Sequence, residues 1–197
     1  MKAVPANRAI VFFTIAVLGC VADLATKHWV FAWLGEPVGQ RWPILENVFY
    51  LETGLNEGAL FGVGQGRAFL FAALSIVAAA AILYWLFYAG AARDLLLTVA
   101  LGLITAGILG NLWDRVGLPG LIWKYASEHH GVGDPVYAVR DWILVYIGKW
   151  PWPTFNLADS MLVCGAILLV WHAQRHAPAP ERPAAARGGP QGAGQKD

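Results

Sequence analysis

Asp141 and Asp159 are acids with no cation on the same face within a helical turn, and each stands beside or inside a strongly apolar stretch. Arg140 is adjacent to Asp141, but its side chain should leave in another direction. Two such acids brought together at low dielectric cannot both ionise cheaply, so they share a proton. One is then poised as base and the other as acid, the arrangement that activates water in aspartic proteases. Other polar groups recur at helical spacing. Asp23 and Lys27 stand at i and i+4 with the acid first, the better order for a helical ion pair. Asn111, Asp114 and Arg115 stand at i, i+3 and i+4, and Asn156 and Asp159 at i and i+3.

Structural readings stand beside the chemical ones. Asp23 with Lys27 can be a buried ion pair that fixes helix packing. Asn111 with Asp114 and Arg115 can be an interhelical hydrogen-bond network with snorkelling end charges, Arg115 being the adjacent cation of Asp114. Asp141 alone can be a loop carboxylate in water. Asp159 has no such inexpensive reading, because an ionised group near a helix centre costs roughly 2.5 to 3.5 kcal/mol on insertion scales.

The elements that position these groups follow from composition. Of 197 residues, 57% are hydrophobic and 14% charged, against about 25% charged in an ordinary soluble domain. The chain also has 10 Trp, 22 Gly, 2 Cys and a mean hydropathy of +0.50. Soluble, disordered, coiled-coil and disulfide-scaffold classes fall away. A net charge of +1 offers no field for nucleic acid. A small integral membrane protein remains.

Roughly 20 apolar residues are needed to span the hydrocarbon core as a helix. Four stretches qualify, at about 9–34, 68–89, 95–116 and 155–173, within a membrane domain of residues 1–174. The expected fold is an all-α polytopic membrane protein, with a small extracytoplasmic β-like cradle at 48–66 and a surface loop or helix insertion at 117–140. Residues 91–94 make spans two and three an antiparallel hairpin. The Pro-, Ala- and Gly-rich residues 175–197 read as a disordered cytoplasmic tail.

Lys2, Arg8, Arg93, Arg175, Arg182, Arg187 and Lys196 fall on one side, which the positive-inside rule makes cytoplasmic. Trp29, Trp33, Trp42, Trp113, Trp123, Trp142, Trp150 and Trp152 fall toward the other, as interfacial rings should. Both termini are then inside, and every polar group above lies toward the outer leaflet. Residues 17–20, Val-Leu-Gly-Cys, resemble a lipidation signal, but the apolar run continues to Leu34 and three more spans follow. Gly19 and Cys20 are therefore expected to serve close helix packing, with Cys20 and Cys164 as unpaired core thiols.

At these residues the sequence resembles the bacterial lipoprotein signal peptidases (signal peptidase II), four-helix membrane aspartic endopeptidases. The likeness is carried by Asp23-Leu24-Ala25-Thr26-Lys27, Asn56-Glu57-Gly58-Ala59-Leu60-Phe61-Gly62, Gly110-Asn111-Leu112-Trp113-Asp114-Arg115, and Val139-Arg140-Asp141-Trp142 followed by Phe155-Asn156-Leu157-Ala158-Asp159-Ser160. The resemblance implies that Asp141 and Asp159 form the catalytic dyad. It implies that Asn111, Asp114, Arg115 and Asn156 shape the site, that Asn56 and Gly58 lie on a surface cradle meeting substrate, and that Asp23 and Lys27 give support. It further implies a monomer of the bacterial inner membrane, without cofactor or metal, acting on diacylglyceryl-modified prolipoprotein signal peptides that enter from membrane lipid. Three features depart from the family's pattern: a long segment between Arg115 and Asp141, Arg140 where an apolar residue is usual, and the extra acid Glu57.

Rival readings are weaker. A metal hydrolase on His129, His130 and Asp134 would need adjacent histidines on one ion. A proton-coupled carrier or scaffold would need acids along a whole transmembrane path. A serine hydrolase on Ser75 or Ser160 lacks a Gly-x-Ser-x-Gly elbow.

Overall fold

The computed structural model describes residues 4–35, 38–58 and 64–175. Four helices are long and apolar enough to cross a membrane: α1 (Ala6–Leu34), α2 (Ala68–Leu83, extended by a π-helical turn at Tyr84–Tyr88), α3 (Leu95–Arg115) and α4 (Leu157–Arg175). Their bounds lie within three residues of those expected from hydropathy. A 3-10 turn at Ala91–Arg93 and the N-cap Asp94, which accepts the Leu97 N–H at 2.9 Å, reverse the chain between α2 and α3. The tail lies outside the described residues except for Arg175, which closes α4.

Helix α3 is the centre of the bundle. Over its apolar stretch 61% of residues are buried, against 17% for α1 and α4 and 11% for α2, so the other three present most of their surface to lipid. Small residues make this possible. A Cβ on Gly19 of α1 would stand 2.7 Å from both the Ala106 Cβ and the Met161 Sδ, and one on Gly110 of α3 would collide with the Asp23 carboxylate. The close-packing reading of Gly19 therefore holds. Cys164, however, is exposed on α4 rather than in the core, because the core side of α4 there is taken by Gly165 against α3. Toward the other end the packing is apolar, with Phe12, Ile82, Leu86, Leu97, Leu101 and Ile108 in one cluster.

Beside the helices stands a sheet that extends beyond the β-like cradle expected at 48–66, so the all-α description holds for the spans alone. Strands β1 (Arg41–Leu45), β2 (Phe49–Asn56), β3 (Val139–Ile147) and β4 (Trp150–Pro151) form an antiparallel sheet in that order. Residues 48–56 thus behave as expected, but β3 was legible only as an apolar run. Its composition, with four β-branched and two aromatic residues among nine, suits a half-buried pleat. Between α3 and β3 the connecting segment carries a small core of Trp123, Val136 and Ala138, packed by Leu121 and by Leu55 of β2. Trp123, expected at the interface, is only 4% exposed for this reason.

Candidate active site

The sheet is what brings the two acids together. β3 pairs with β2 so that Gly54 faces Asp141 and Leu55 faces Arg140. Beyond Asp141, Ile143 exchanges backbone hydrogen bonds with Phe155, at 2.8 and 3.0 Å. Phe155 is one residue before Asn156, so this bridge sets Asp141 beside the start of α4. Alternation along the strand sends neighbouring side chains to opposite faces. Asp141 faces a cavity, while Arg140 turns inward to α3, the divergence expected of that pair.

Asn156 is the N-cap of α4 and Asp159 its third residue. The Asn156 Oδ1 accepts the Asp159 N–H at 2.9 Å, and an Asp159 oxygen accepts the Asn156 N–H at 3.2 Å. This is a capping box. Asp159 therefore does have a structural role, contrary to expectation, and the Asn-x-x-Asp spacing carried its signal. The acid lies in the first turn of α4, not deep in a span, where a negative charge also meets the positive end of the helix dipole.

Two asparagines join the acids. Lys27 Nζ donates to the Asn111 Oδ1 at 3.0 Å, and because an ammonium only donates, this fixes which end of that amide is oxygen. Its Nδ2 is then left to donate to Asp159 at 2.8 Å. The Asn156 Nδ2 donates to the Asn111 Oδ1 at 3.1 Å and to Asp141 at 2.7 Å. Asn56, at the end of β2, donates to the second Asp141 oxygen at 3.3 Å. Asn111 and Asn156 are 4% and 0% exposed, so each amide is locked by its neighbours rather than by solvent.

Beneath them lies a balanced charge cluster. Lys27 contacts Asp23 at 2.7 Å and Asp114 at 3.1 Å, all fully buried. Asp114 also accepts from the Arg140 backbone N–H at 3.0 Å and from its guanidinium at 3.0 and 2.8 Å. Asp23 accepts the Ala158 N–H at 2.9 Å, tying α1 to the first turn of α4. Two acids and two bases cancel. Buried charges need such pairing.

Arg115 is therefore not the partner of Asp114. Consecutive helix positions do not share a face, and the Arg115 Nη2 donates instead to the Gly58 carbonyl at 3.1 Å. Arg140, a departure from the family's pattern, pairs with Asp114 alongside Lys27. The Arg115 guanidinium lies within electrostatic reach of Asp159, Asp141 and Asp114, a cation that spacing along the chain concealed from the dyad.

Both acids open on one cavity of about 410 Å³, lined also by Asn56, Asn111, Arg115 and Gln65. Burial first, then the nearby Asp159 charge, push the Asp141 carboxyl up to about 7, against hydrogen bonds from Asn156 and Asn56. Thus the structure gathers Asp23, Lys27, Asn56, Asn111, Asp114, Arg115, Asp141, Asn156 and Asp159 at one end of the bundle. Gly58 reaches the site through its carbonyl.

A profile described as signal peptidase (SPase) II matches residues 15–175. The chain belongs to the signal peptidase II family. It is 48% identical over 174 residues to the lipoprotein signal peptidase of Rhodopirellula baltica, covering 85% of this chain and 73% of that one. The lipoprotein signal peptidase of Geobacillus thermodenitrificans is 31% identical over 165 residues, covering 84% and 90%. A bacterial membrane enzyme solved by the in meso method at 2.3 Å superposes with a TM-score of 0.65 at 27% identity, covering 83% of this chain and 87% of that one. As a signal peptidase II, the protein is a bacterial membrane protease that removes signal peptides from prolipoproteins.

The residues of the rival readings lie elsewhere. Ser75 and Ser160 donate to the Phe71 and Asn156 carbonyls one turn earlier. His129 and His130 belong to the segment between α3 and β3 and have separate neighbours. The first packs over Gly66, and the second has Nε2 3.3 Å from the Glu57 carboxylate.

Proposed function

We propose that this signal peptidase II is an aspartic endopeptidase in which Asp141 and Asp159 activate one water between them. Asp141 carries the shared proton near neutral pH, in keeping with its raised value of about 7. Asp159 is the ionised partner, placed in the first turn of a helix and fixed by Asn111 and the Asn156 backbone. Asp159 takes a proton from water as the oxygen attacks the peptide carbonyl, and Asp141 gives its proton to the carbonyl oxygen. The tetrahedral diol then collapses. Asp159 passes its proton to the departing amine and Asp141 recovers one from the diol, so acid and amine leave and the dyad is restored. No covalent enzyme intermediate forms.

The carrying observation is the single hydrogen-bonded run Asp141–Asn156–Asn111–Asp159 at the wall of one cavity. The substrate in this reading is a prolipoprotein whose cysteine after the cut carries diacylglycerol. Its signal helix enters from lipid, with the scissile bond at the outer-leaflet depth of the dyad. Arg8, Arg93 and Arg175 lie at the opposite ends of their helices from the site, which supports cytoplasmic termini and an extracytoplasmic sheet. The apolar cluster between these two levels supplies no relay for a carrier.

The test is gel-shift cleavage of diacylglyceryl-modified prolipoprotein by Asp141→Asn and Asp159→Asn enzymes with wild-type melting behaviour. Each should lose roughly 10²- to 10⁴-fold or more of its turnover, the range for a removed acid or base. Substantial turnover by both refutes the mechanism.

A further inference from the structure

The insertion between α3 and β3 has a place in the site's architecture that the catalytic reading leaves unused. Its His130 is locked. The ring stacks on Trp123 with centroids 3.6 Å apart and planes 4° from parallel, and meets Tyr125 edge-on at 5.6 Å. The side chain is 7% exposed, and Trp123 is itself core. Among the described residues, Nδ1 has no hydrogen-bond partner. Nε2 therefore makes the ring's polar contact, donating toward Glu57 Oε1 at 3.3 Å, since a carboxylate only accepts.

Glu57 stands between Asn56, which lines the active-site cavity, and Gly58, which is tied to the lining residue Arg115. Asn56 before it donates to Asp141 at 3.3 Å, and its Oδ1 accepts the Gly58 N–H at 3.0 Å. Gly58 after it offers its carbonyl to Arg115. Glu57 does not itself line the 410 Å³ cavity, so its carboxylate acts through these neighbours. His129 meets the chain again at Gly66, where an added Cβ would stand about 3.0 Å from the imidazole. Gly66 adjoins Gln65, which lines the active-site cavity. Adjacent histidines thus hold two points, 57 and 66, next to the wall residues Asn56 and Gln65.

We propose that the insertion is a positioning element for substrate binding, with His130 and Glu57 as its positioning residues and His129 on Gly66 as its second foothold. The proposal rests on the cavity being the substrate site. It accounts for the Glu57 acid and the long insertion together, because each is the other's partner. Losing the contact loosens the wall that receives the lipid-modified chain while Asn156 and Asn111 still hold Asp141 and Asp159, so binding suffers and the chemical step does not.

The experiment uses the full-length enzyme in lipid-containing micelles with diacylglyceryl-modified prolipoprotein. Glu57→Ala and His130→Ala should each raise KM at least about fivefold, with kcat held within about twofold. The double variant should be no worse than either single one, as for two halves of one contact. Glu57→Gln, which keeps an acceptor for Nε2, should restore KM. Should His130→Ala fail to melt cooperatively, Glu57→Ala and its Gln rescue decide alone. Unchanged KM, additive losses, a loss confined to kcat, or no rescue by Gln overturns the proposal. Asp159→Asn in the same preparation keeps the two readings apart, since cleavage by that variant would refute the catalytic assignment while the KM comparison stood.

Discussion

Replacing Asp141 by Asn should abolish cleavage and at the same time change how stability depends on pH. The carboxyl's ordinary value is 3.8, and burial together with the Asp159 charge push it up to about 7 in the folded protein. Each pH unit between those values is worth about 1.4 kcal/mol, so keeping the ionised group buried costs on the order of 4 kcal/mol. Asp141 is 3% exposed, and solvent screens little of this. Below pH 3.8 both folded and unfolded states hold the proton, and the cost is absent. As pH rises the unfolded chain ionises first, and stability falls until about pH 7, above which the loss is complete. Asn does not titrate. The stability of Asp141→Asn minus that of wild type should therefore climb by about 1.4 kcal/mol per pH unit between pH 4 and 7, then level off. Denaturant unfolding in non-titrating micelles from pH 4 to 8 reads it directly. Parallel pH profiles for the two proteins would mean that the Asp141 carboxyl is not raised by folding.

Other outcomes follow from the same contacts. Lys27→Met leaves Asp23 and Asp114 buried without their shared ammonium and should cost about 3–5 kcal/mol in denaturant unfolding. Gly110→Ala drives a methyl into the Asp23 carboxylate and should cost about 1–3 kcal/mol, with activity lost as Asp23 leaves the Ala158 N–H. Asn156→Ala removes the α4 cap, about 1 kcal/mol, and severs the link between both acids, so turnover should fall far more than stability. In Asp159→Asn one cause of the raised Asp141 value is gone, so the pH at which stability levels off should move below 7.

The bundle and most of the site were legible from residue type and spacing. Apolar runs long enough for a bilayer located α1 to α4, and acids and amides at i, i+3 and i+4 marked one end of it, because each ionised group in such a helix needs a partner. What spacing could not supply was partners across the chain. Asp114 and Arg140 are 26 residues apart in sequence, yet three hydrogen bonds join them. Arg115 looked like the mate of Asp114 but serves Gly58. β3 was hidden because a short apolar run has no period that separates strand from helix, and with it went the Ile143–Phe155 bridge that sets Asp141 beside α4. Asp159 misled in a different way: its capping box was written in Asn156-Leu157-Ala158-Asp159, but the apolar context drew the boundary of the helix two residues too early.

Two-carboxylate catalysis requires Asp159 for chemistry and leaves it dispensable for binding. Asp159→Asn enzyme should retain diacylglyceryl-modified prolipoprotein in a micelle co-purification and yield no shifted product in a single-turnover gel assay that wild type completes. Product formation by that folded variant at a rate near wild type would contradict the two-carboxylate mechanism.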